Sequence, residues 1–295
     1  MSIFVASLGF GLVTSAILAL AALGFTLQAG MTNVVNLAYG DMMTAGAFAA
    51  LVGQSALRLS LWPALVFGGV IVALLSFVTN RLVIRPFVAR WTKSFQMIIV
   101  TFALGIILQY VIVMKWGENF YAYRGLSLSL FKWGSFELSY EQLTIVIMSV
   151  LLLGGFHVLV RYSRMGRALR AMADDKQLAR ACGVNVARLT DIVWLISGAL
   201  AGVSGVALAI NAGSFNEIFG ANFMLIVVAA AILGGAGEPN GAMVGAVVVG
   251  FAMEVSTVWI AGSYSEVVAL ILLIVAVLVR PQGLVAGRGK WVLAQ

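Results

Sequence analysis

Long uninterrupted runs of apolar residues, separated by short polar connections, are the dominant pattern of the chain. A helix needs about 20 apolar residues to cross the hydrocarbon core of a bilayer. The apolar residues do not alternate with polar ones, as they do in the strands of membrane barrels. The pattern therefore predicts transmembrane α-helices, which satisfy their own backbone hydrogen bonds in lipid. Nine segments are predicted: 2–27, 42–57, 59–80, 95–114, 142–160, 192–211, 218–233, 243–260 and 264–279.

The composition agrees with a membrane protein and excludes several other classes. Of the 295 residues, 62% are hydrophobic and only 10% are charged, and the mean hydropathy is +1.06. A soluble domain carries about 25% charged residues, so this chain cannot cover a surface exposed to water. An ordinary soluble enzyme and a disordered chain are excluded, and the single Cys182 excludes a disulfide scaffold. No linker divides the chain, so we expect one all-α transmembrane helix bundle, a single domain over residues 1–295.

The net charge of +7 is concentrated in three clusters of the chain. These hold 14 of the 18 basic residues: Arg81, Arg85, Arg90 and Lys93; Arg161, Arg164, Arg167, Arg170, Lys176, Arg180 and Arg188; and Arg280, Arg288 and Lys290. Basic connections face the cytoplasm, so we expect the clusters and the C-terminus there. The connection 115–141 has balanced charge and several aromatic residues, which favours the outer face. The distribution favours the lipid bilayer, and not nucleic acid, as the partner of this charge.

Charge does not determine the orientation of the first segments, because residues 1–57 contain only Asp41. If all nine segments cross the membrane, the N-terminus lies outside. If one segment is broken or re-entrant, eight cross and the N-terminus lies inside. Residues 2–27 lack a basic start, so we expect a retained span and not a signal peptide.

A polar cluster interrupts the apolar pattern near the N-terminus. Asn33, Asn36, Tyr39 and Asp41 follow Gly30 and precede the short segment 42–57. One interpretation is a helix broken within the membrane, which is tolerated around a cavity or inside protein and which often forms a transport pathway. The alternative is an ordinary polar turn at the membrane surface.

Glu254 is a second candidate for a solute pathway, because an intramembrane carboxylate is costly and usually functional. The alternative is a position near the outer interface, in water. Weaker candidates are Gln109, Asn211, Asn216 and Asn222. A single histidine, His157, cannot form a metal site, so none is expected.

The connection 161–188 is too long for a simple turn between adjacent spans. Asp174 followed by Gln177 matches a capping box, and Gly183 suits the position after a helix end, which together predict a short helix over 175–182. Asn185 is expected to cap the next helix. A short capped helix in the cytoplasm indicates a docking element, and the alternative is an amphipathic segment that lies on anionic lipid.

Several segments resemble the permeases of branched-chain amino acid ABC importers, the LivH/LivM type. The stretch 177–183 is similar to the EAA motif of importer permeases, with Ala179 and Gly183 matching and Gln177 in place of the glutamate. Further similar segments occur in the family's order: 24–50, 192–209, 232–250 and 277–284. Residues 36–41 read Asn-Leu-Ala-Tyr-Gly-Asp where the family often has Asn-Phe-Ala-His-Gly-Glu, which leaves open whether the solute is a branched-chain amino acid, urea, an amide or another small polar solute.

The resemblance implies a permease subunit of the bacterial inner membrane that works by alternating access and is not an enzyme. It also implies a LivM-type second permease, two ATPase subunits and a periplasmic solute-binding protein. The short helix would then be the ATPase-coupling helix, within a cytoplasmic loop 161–190, and Asp174, Asp175, Gln177, Ala179, Arg180 and Gly183 would form it. The chain has no phosphate-binding GxxxxGK[ST] motif, so ATP is expected on the partners and no cofactor on this chain. The alternatives are an independent secondary transporter or channel and a structural membrane subunit.

Two weaker patterns concern packing. Gly198 with Gly202, and Gly241 with Gly245, have GxxxG spacing, which fits either a subunit interface or close packing within one bundle. The stretches 82–86 and 278–281 are similar, and this similarity is the sequence evidence for an internal repeat of the kind found in transporters.

Overall fold

The structure, a computed structural model, describes residues 2–32, 34–89, 94–125, 130–133, 136–235, 237–279 and 283–284. It is almost entirely helical. The helices are α1 (Ser2–Thr32), α2 (Tyr39–Ser55), α3 (Leu61–Thr79), α4 (Arg85–Ala89), α5 (Ser94–Trp116), α6 (Tyr140–Tyr162), α7 (Arg164–Asp174), α8 (Lys176–Ala181), α9 (Val186–Ala212), α10 (Phe219–Gly234), α11 (Pro239–Ser256) and α12 (Ser265–Val279). A π-helical turn, Asn80–Ile84, joins α3 to α4, and a short hairpin, β1 (Leu130–Trp133) with β2 (Phe136–Ser139), precedes α6.

Each of the nine apolar segments forms a helix, which confirms the predicted helical membrane fold. Among the residues that the structure describes, six helices are long and apolar enough to cross a bilayer: Ala6–Thr32, Leu61–Val88, Phe95–Trp116, Tyr140–Tyr162, Val186–Ala212 and Pro239–Ser256. Helices α2, α10 and α12 are shorter. At 1.5 Å per residue, α2 and α10 are about 25 Å long, less than the roughly 30 Å of a hydrocarbon core.

The bundle has two chemically different ends. The neutral end joins connections without a charge excess: the Tyr121 and Phe215 backbones exchange two hydrogen bonds of 2.9 Å, and Gln54 of α2 bonds the backbone of Arg124. The basic end carries α4, α7 and α8, where Arg85 pairs with Asp191. The chain alternates between these ends from α1 to α12, so that α1 begins at the neutral end and α12 runs to the basic end.

Glycines bring the central helices together. A Cβ added to Gly198 would collide with Val72 and Ser76 of α3, and one added to Gly202 would collide with Gly68 and its neighbour. The pair Gly241 and Gly245 packs in the same way on the end of α10. The GxxxG glycines therefore pack within one bundle, as small residues do between membrane helices, and do not form an outer face.

The structure contains an inverted internal repeat. Helices α1, α2 and α3 correspond to α9, α10 and α11: α3 packs on α9 as α11 packs on α1, and α5 packs on α2 as α12 packs on α10. The two sets run in opposite directions, as in the repeats of many transporters. The similar stretches 82–86 and 278–281 are not equivalent positions of this repeat. Residues 82–86 come after α3, whereas 278–279 end α12, which has no equivalence to α3; residues 280–281 lie outside the described part of the chain.

Candidate functional site

The helix break predicted near the N-terminus lies inside the protein. Helix α1 ends at Thr32, α2 begins at Tyr39, and the residues 34–38 between them are non-helical. Asn33 lies outside the described residues. Asn36 is 1% exposed and Tyr39 is completely buried, so the surface-turn alternative does not describe this segment. Non-helical backbone at this position has to be bonded by protein groups.

Side chains of α1, of α5 and of the break itself supply those bonds. The Asn36 side chain donates to Gln28 Oε1 of α1 (3.1 Å) and accepts from the backbone nitrogen of Ala38 (3.2 Å), which closes a local turn. On α5, Thr101 Oγ1 accepts from the backbone nitrogen of Leu37 (3.2 Å). Neither Gln28 nor Thr101 was singled out by sequence, because each is one polar residue in an apolar run.

Asp41 faces α5. A Cβ added to Gly105 would collide with the Asp41 carboxylate, so the absence of a side chain at Gly105 makes room for it. Asp41 is 7% exposed and lies in the first turn of α2, where the partial positive charge of the helix N-terminus favours a carboxylate. The break is therefore followed by a buried acid at the junction of α2 and α5.

Tyr39 reaches from α2 toward both long helices of the repeat. Its Oη lies against Gly24 of α1, where Ser197 and Leu200 of α9 also meet. The buried hydroxyls of Tyr39 and Ser197 interact at this junction. Gln28 of α1 and Trp194 of α9 lie about one helical turn from Gly24 and Ser197 along the chain, and in the described part of the chain Gln28 Nε2 and Trp194 Nε1 are buried without a hydrogen-bond partner. We call these four residues, Tyr39, Ser197, Gln28 and Trp194, the polar seam.

Glu254 is not part of this site. Its Oε1 accepts a hydrogen bond from Thr14 Oγ1 (2.7 Å) near the end of α11. Thr14 and Gly24 stand on the same helix about 15 Å apart, so the structure does not bring Glu254 to Tyr39. Of the weaker candidates, Asn211 accepts a hydrogen bond from Gln142 (3.1 Å) at the neutral end.

A second break precedes α10 and has the same backbone course. The carbonyl of Asn216 accepts from the Phe219 nitrogen (3.4 Å), as the carbonyl of Asn36 accepts from the Tyr39 nitrogen (3.2 Å). Gly40 and Gly220 then meet reciprocally: a Cβ on either would collide with the carbonyl oxygen of the other. The sequence signal was the shared spacing Asn-x-x-aromatic-Gly at 36–40 and 216–220, which was missed.

The short helix predicted in the connection 161–188 exists, with one correction at its start. Asp175, not Asp174, is the N-cap of α8, and its Oδ1 accepts from the nitrogens of Gln177 (2.7 Å) and Leu178 (3.0 Å). Asp174 is the last residue of α7, and no capping box forms with Gln177. The extended backbone of Asp175 (φ −153°, ψ 113°) breaks the helix one residue later than the pattern indicated.

The end of α8 is as predicted. Gly183 has φ +84°, and the nitrogens of Gly183 and Val184 bond the carbonyls of Arg180 and Ala179 (both 3.0 Å), which is a Schellman motif. Asn185 caps α9 through the Arg188 nitrogen (3.0 Å), as expected. Both ends of this six-residue helix are therefore held by specific hydrogen bonds.

Helix α8 is seated on the bundle by one side and open on the other. Ala179 is buried, whereas Leu178 is 63% exposed. The preceding helix α7 buries Leu169 and Met172 in a cluster that includes Met31 at the end of α1. Side-chain packing thus links α7 to the helix that ends at the break.

A cavity of about 440 Å³ lies between α8 and the bundle. Its charged lining consists of Arg85, Lys176, Arg180 and Asp191, and we call it the basic cavity. Burial, and secondarily the neighbouring charge of Arg180, lowers the pKa of Lys176. Asp191 accepts from Asn80 Nδ2 (2.8 Å) and lies 3.7 Å from Arg85 Nη1.

Comparisons with known proteins agree with this architecture. The family model of the branched-chain amino acid transport system permease component matches residues 7–277. The chain is 31% identical to the high-affinity branched-chain amino acid transport system permease LivH of Salmonella typhimurium over 280 residues, 90% of each chain. It is 27% identical over 287 residues to BraD of Pseudomonas aeruginosa, a permease of the same description, with 93% of each chain covered.

A solved structure shares the fold. The chain superposes on the structure of PsaBC from Streptococcus pneumoniae in complex with Fab with a TM-score of 0.51 and 15% identity, covering 94% of this chain and 92% of the other. At that identity the similarity concerns the fold alone. The family match, over most of the chain, identifies a transport subunit and not an enzyme. The chain therefore belongs to the family of permease components of branched-chain amino acid transport systems.

Proposed function

We propose that this permease component carries a branched-chain amino acid, or a similar small polar solute, by alternating access between its two ends. ATPase subunits bind ATP and dock on α8, and this chain itself binds no cofactor. The observation that carries the proposal is the geometry of α8: a helix held at both ends by hydrogen bonds, with Leu178 exposed and Ala179 seated. Only an element of fixed geometry transmits the movement of a partner.

The packing supports a route from α8 to the helix break. A displacement of α8 moves α7, whose Leu169 and Met172 contact the end of α1 around Met31. One turn earlier on α1, Gln28 holds Asn36. Movement at the basic end therefore reaches the polar seam through contiguous contacts, and the seam offers unpaired groups that a second packing arrangement can satisfy.

We assign the solute pathway to the surroundings of the first break. Asn33, Asn36, Tyr39 and Asp41 line or support it, and the burial of Asn36 and Tyr39 favours a supporting role in the packing described here. Glu254 remains a candidate for the path at the neutral end only. Tyr39, where the family often has histidine, is the residue that we expect to influence the choice of solute.

The remaining assignments concern topology and assembly. We place the basic end, including the loop 161–190 and the C-terminus, in the cytoplasm of a bacterium with the chain in the inner membrane. A LivM-type second permease and two ATPase subunits complete the importer, and a periplasmic solute-binding protein docks at the neutral end. One domain over residues 1–295 then provides both contacts.

Gly183→Val tests the coupling role. A Cβ at Gly183 meets no atom within 4 Å, so the variant changes only the backbone preference, by about 1–2 kcal/mol against the left-handed conformation. We expect normal membrane insertion and a sharp fall in the ATP hydrolysis stimulated by solute-loaded binding protein. Gly183→Asn is the matched control, because asparagine tolerates this conformation, and it should retain most of the stimulation.

Normal stimulation of the Gly183→Val complex, with partners bound as before, would show that α8 does not couple ATP hydrolysis to transport.

Measurements of solute uptake distinguish the importer from a secondary transporter. We expect uptake of radiolabelled leucine to require the ATPase subunits and to be competed by isoleucine and valine. Competition by urea or amides alone would reassign the solute, and uptake without ATPase subunits would reassign the class.

Labelling with a membrane-impermeant thiol reagent tests the topology. The native Cys182 is exposed at the basic end, and Asn119 is exposed at the neutral end. Asn119→Cys in a Cys182→Ser background should be labelled from the periplasm, whereas Cys182 should be labelled only after the cells are opened. Labelling of both from one side contradicts the assignment.

A further inference from the structure

The basic cavity contains more positive charge than the chain neutralises. Asp191 is its only acidic group and is already bound by Asn80 and Arg85. In the described part of the chain, Lys176 and Arg180 have no acidic partner, although both line the cavity. They are one turn apart on α8, where like charges repel. An anion between them would relieve that repulsion.

The rest of the cavity is apolar, and this narrows the chemistry of the anion. Ile84, Val88 and Met31 contribute to the lining. The surface of α4 and of the turn before it continues the apolar wall outward, with Leu82 71% and Val88 49% exposed. A free phosphate ion is poorly matched to such walls, whereas an amphipathic anion matches both the cations and the apolar surface.

We infer that the basic cavity binds the phosphate of an anionic phospholipid through Arg85, Lys176 and Arg180, with an acyl chain along the exposed face of α4. The site lies at the end of the bundle where the basic residues mark the membrane boundary, and anionic headgroups are attracted to such residues. A bound lipid contacts both α8 and the π-helical turn after α3, because residues of both line the cavity. The inference does not depend on which solute is carried.

The test uses the full-length protein purified in a neutral detergent. Dioleoylphosphatidylglycerol is added, bound lipid is counted by native mass spectrometry, and the thermal unfolding midpoint is followed. Dioleoylphosphatidylcholine and inorganic phosphate are the comparison probes. We expect saturable binding of dioleoylphosphatidylglycerol with a rise in the unfolding midpoint. Dioleoylphosphatidylcholine and inorganic phosphate should have little effect.

Variants locate the binding. Lys176→Gln and Arg180→Gln should each weaken the apparent affinity about fivefold, the usual contribution of one basic residue near an anionic surface. Arg188→Gln is the matched control, because Arg188 is an exposed arginine at the start of α9 that does not line the cavity, and its affinity should be unchanged. Lys176→Arg keeps the charge and should keep the binding, which separates loss of the site from misfolding.

Three results would overturn the inference. Equal stabilisation by inorganic phosphate would make this a site for the free ion. An equal loss in Arg188→Gln would mean that binding is diffuse surface attraction. Absence of saturable lipid binding by the purified protein would mean that the cations serve another partner, such as an acidic surface of an ATPase.

Discussion

The two helix breaks, 34–38 before α2 and 214–218 before α10, share a backbone course and differ in what holds them. The first is bonded by side chains, through Gln28 and Thr101. The second is bonded by backbone pairing of Phe215 with Tyr121, and Phe215 packs within aromatic rings. Side-chain hydrogen bonds exchange partners at small cost, whereas a packed aromatic cluster has to be separated as a whole. The first break is therefore held by polar side-chain bonds and the second by backbone pairing and aromatic packing.

The largest expected effect is at the aromatic cluster. Phe215 is 1% exposed, and its ring centroid lies 5.1 Å from that of Tyr123 and 5.2 Å from that of Phe48. We expect Phe215→Ala to lower the free energy of unfolding by about 3–5 kcal/mol. The equivalent Val35→Ala in the first break, at a half-buried position, should cost about 1 kcal/mol or less. Thermal unfolding in detergent measures both, and similar losses would contradict the contrast between the two breaks.

The contact between the breaks gives the next effect. Gly220→Ala drives a Cβ into the Gly40 carbonyl, so that α2 and α10 must separate, and we expect a loss of about 1–3 kcal/mol. Gly40→Ala should lose a similar amount, and the double variant less than the sum, because each change separates the same pair. Gly154→Ala is the control: its Cβ meets nothing within 4 Å, and the helix gains up to about 1 kcal/mol. If Gly220→Ala unfolds at the same temperature as Gly154→Ala, the contact is not tight.

Asn36 and Asn216 occupy equivalent positions in the two breaks, and their substitution compares the two directly. Asn36→Ala removes the partner of Gln28 Oε1 and of the Ala38 nitrogen, both buried, and we expect a loss of about 1–3 kcal/mol together with slower uptake. The Asn216 side chain makes no hydrogen bond within the described part of the chain, so Asn216→Ala should change stability by less than about 0.5 kcal/mol. The measurements are thermal unfolding and solute uptake. An equal loss for the two would mean that both breaks depend on their asparagine side chains.

The smallest effect is expected at Tyr39, whose counterpart is Phe219. The Tyr39 hydroxyl is completely buried and its polar neighbour is Ser197, so Tyr39→Phe should change the free energy of unfolding by less than about 1 kcal/mol. Uptake or solute preference should change nonetheless, since the seam loses one of its polar groups. A larger loss of stability would contradict this expectation.

Local sequence predicted a good part of this site. The polar residues after Gly30 fitted either a broken helix or a surface turn, and a buried break is present between α1 and α2. Gly183 was predicted to follow the end of a short helix, and its positive φ after α8 confirms this. Which aspartate caps that helix was predicted wrongly, because Asp174 and Asp175 have the same capping ability and only the backbone at the end of α7 distinguishes them.

The contacts between helices across the bundle could not be predicted from local sequence. Nothing near Thr101 in sequence shows that its hydroxyl bonds the backbone of Leu37, and nothing near Gly105 shows that it makes room for Asp41. These pairs are far apart in the chain. A polar or small residue within an apolar helix is compatible with any facing surface until the helices are assembled.

By itself the sequence determined that the chain lies in a membrane, which segments are helical and approximately where they end, because these follow from hydropathy. It also determined the charge difference between the two ends and the capped helix at 176–181, which follow from charge and local hydrogen bonding. The tertiary structure alone decided that α2 and α10 meet at Gly40 and Gly220, that the polar seam lies between α1 and α9, and that a basic cavity forms beneath α8. In lipid an apolar helix face has no preferred partner, since lipid tails are as apolar as leucine. Close approach at glycines and the pairing of buried polar groups therefore select the arrangement, and both depend on residues that are distant in sequence.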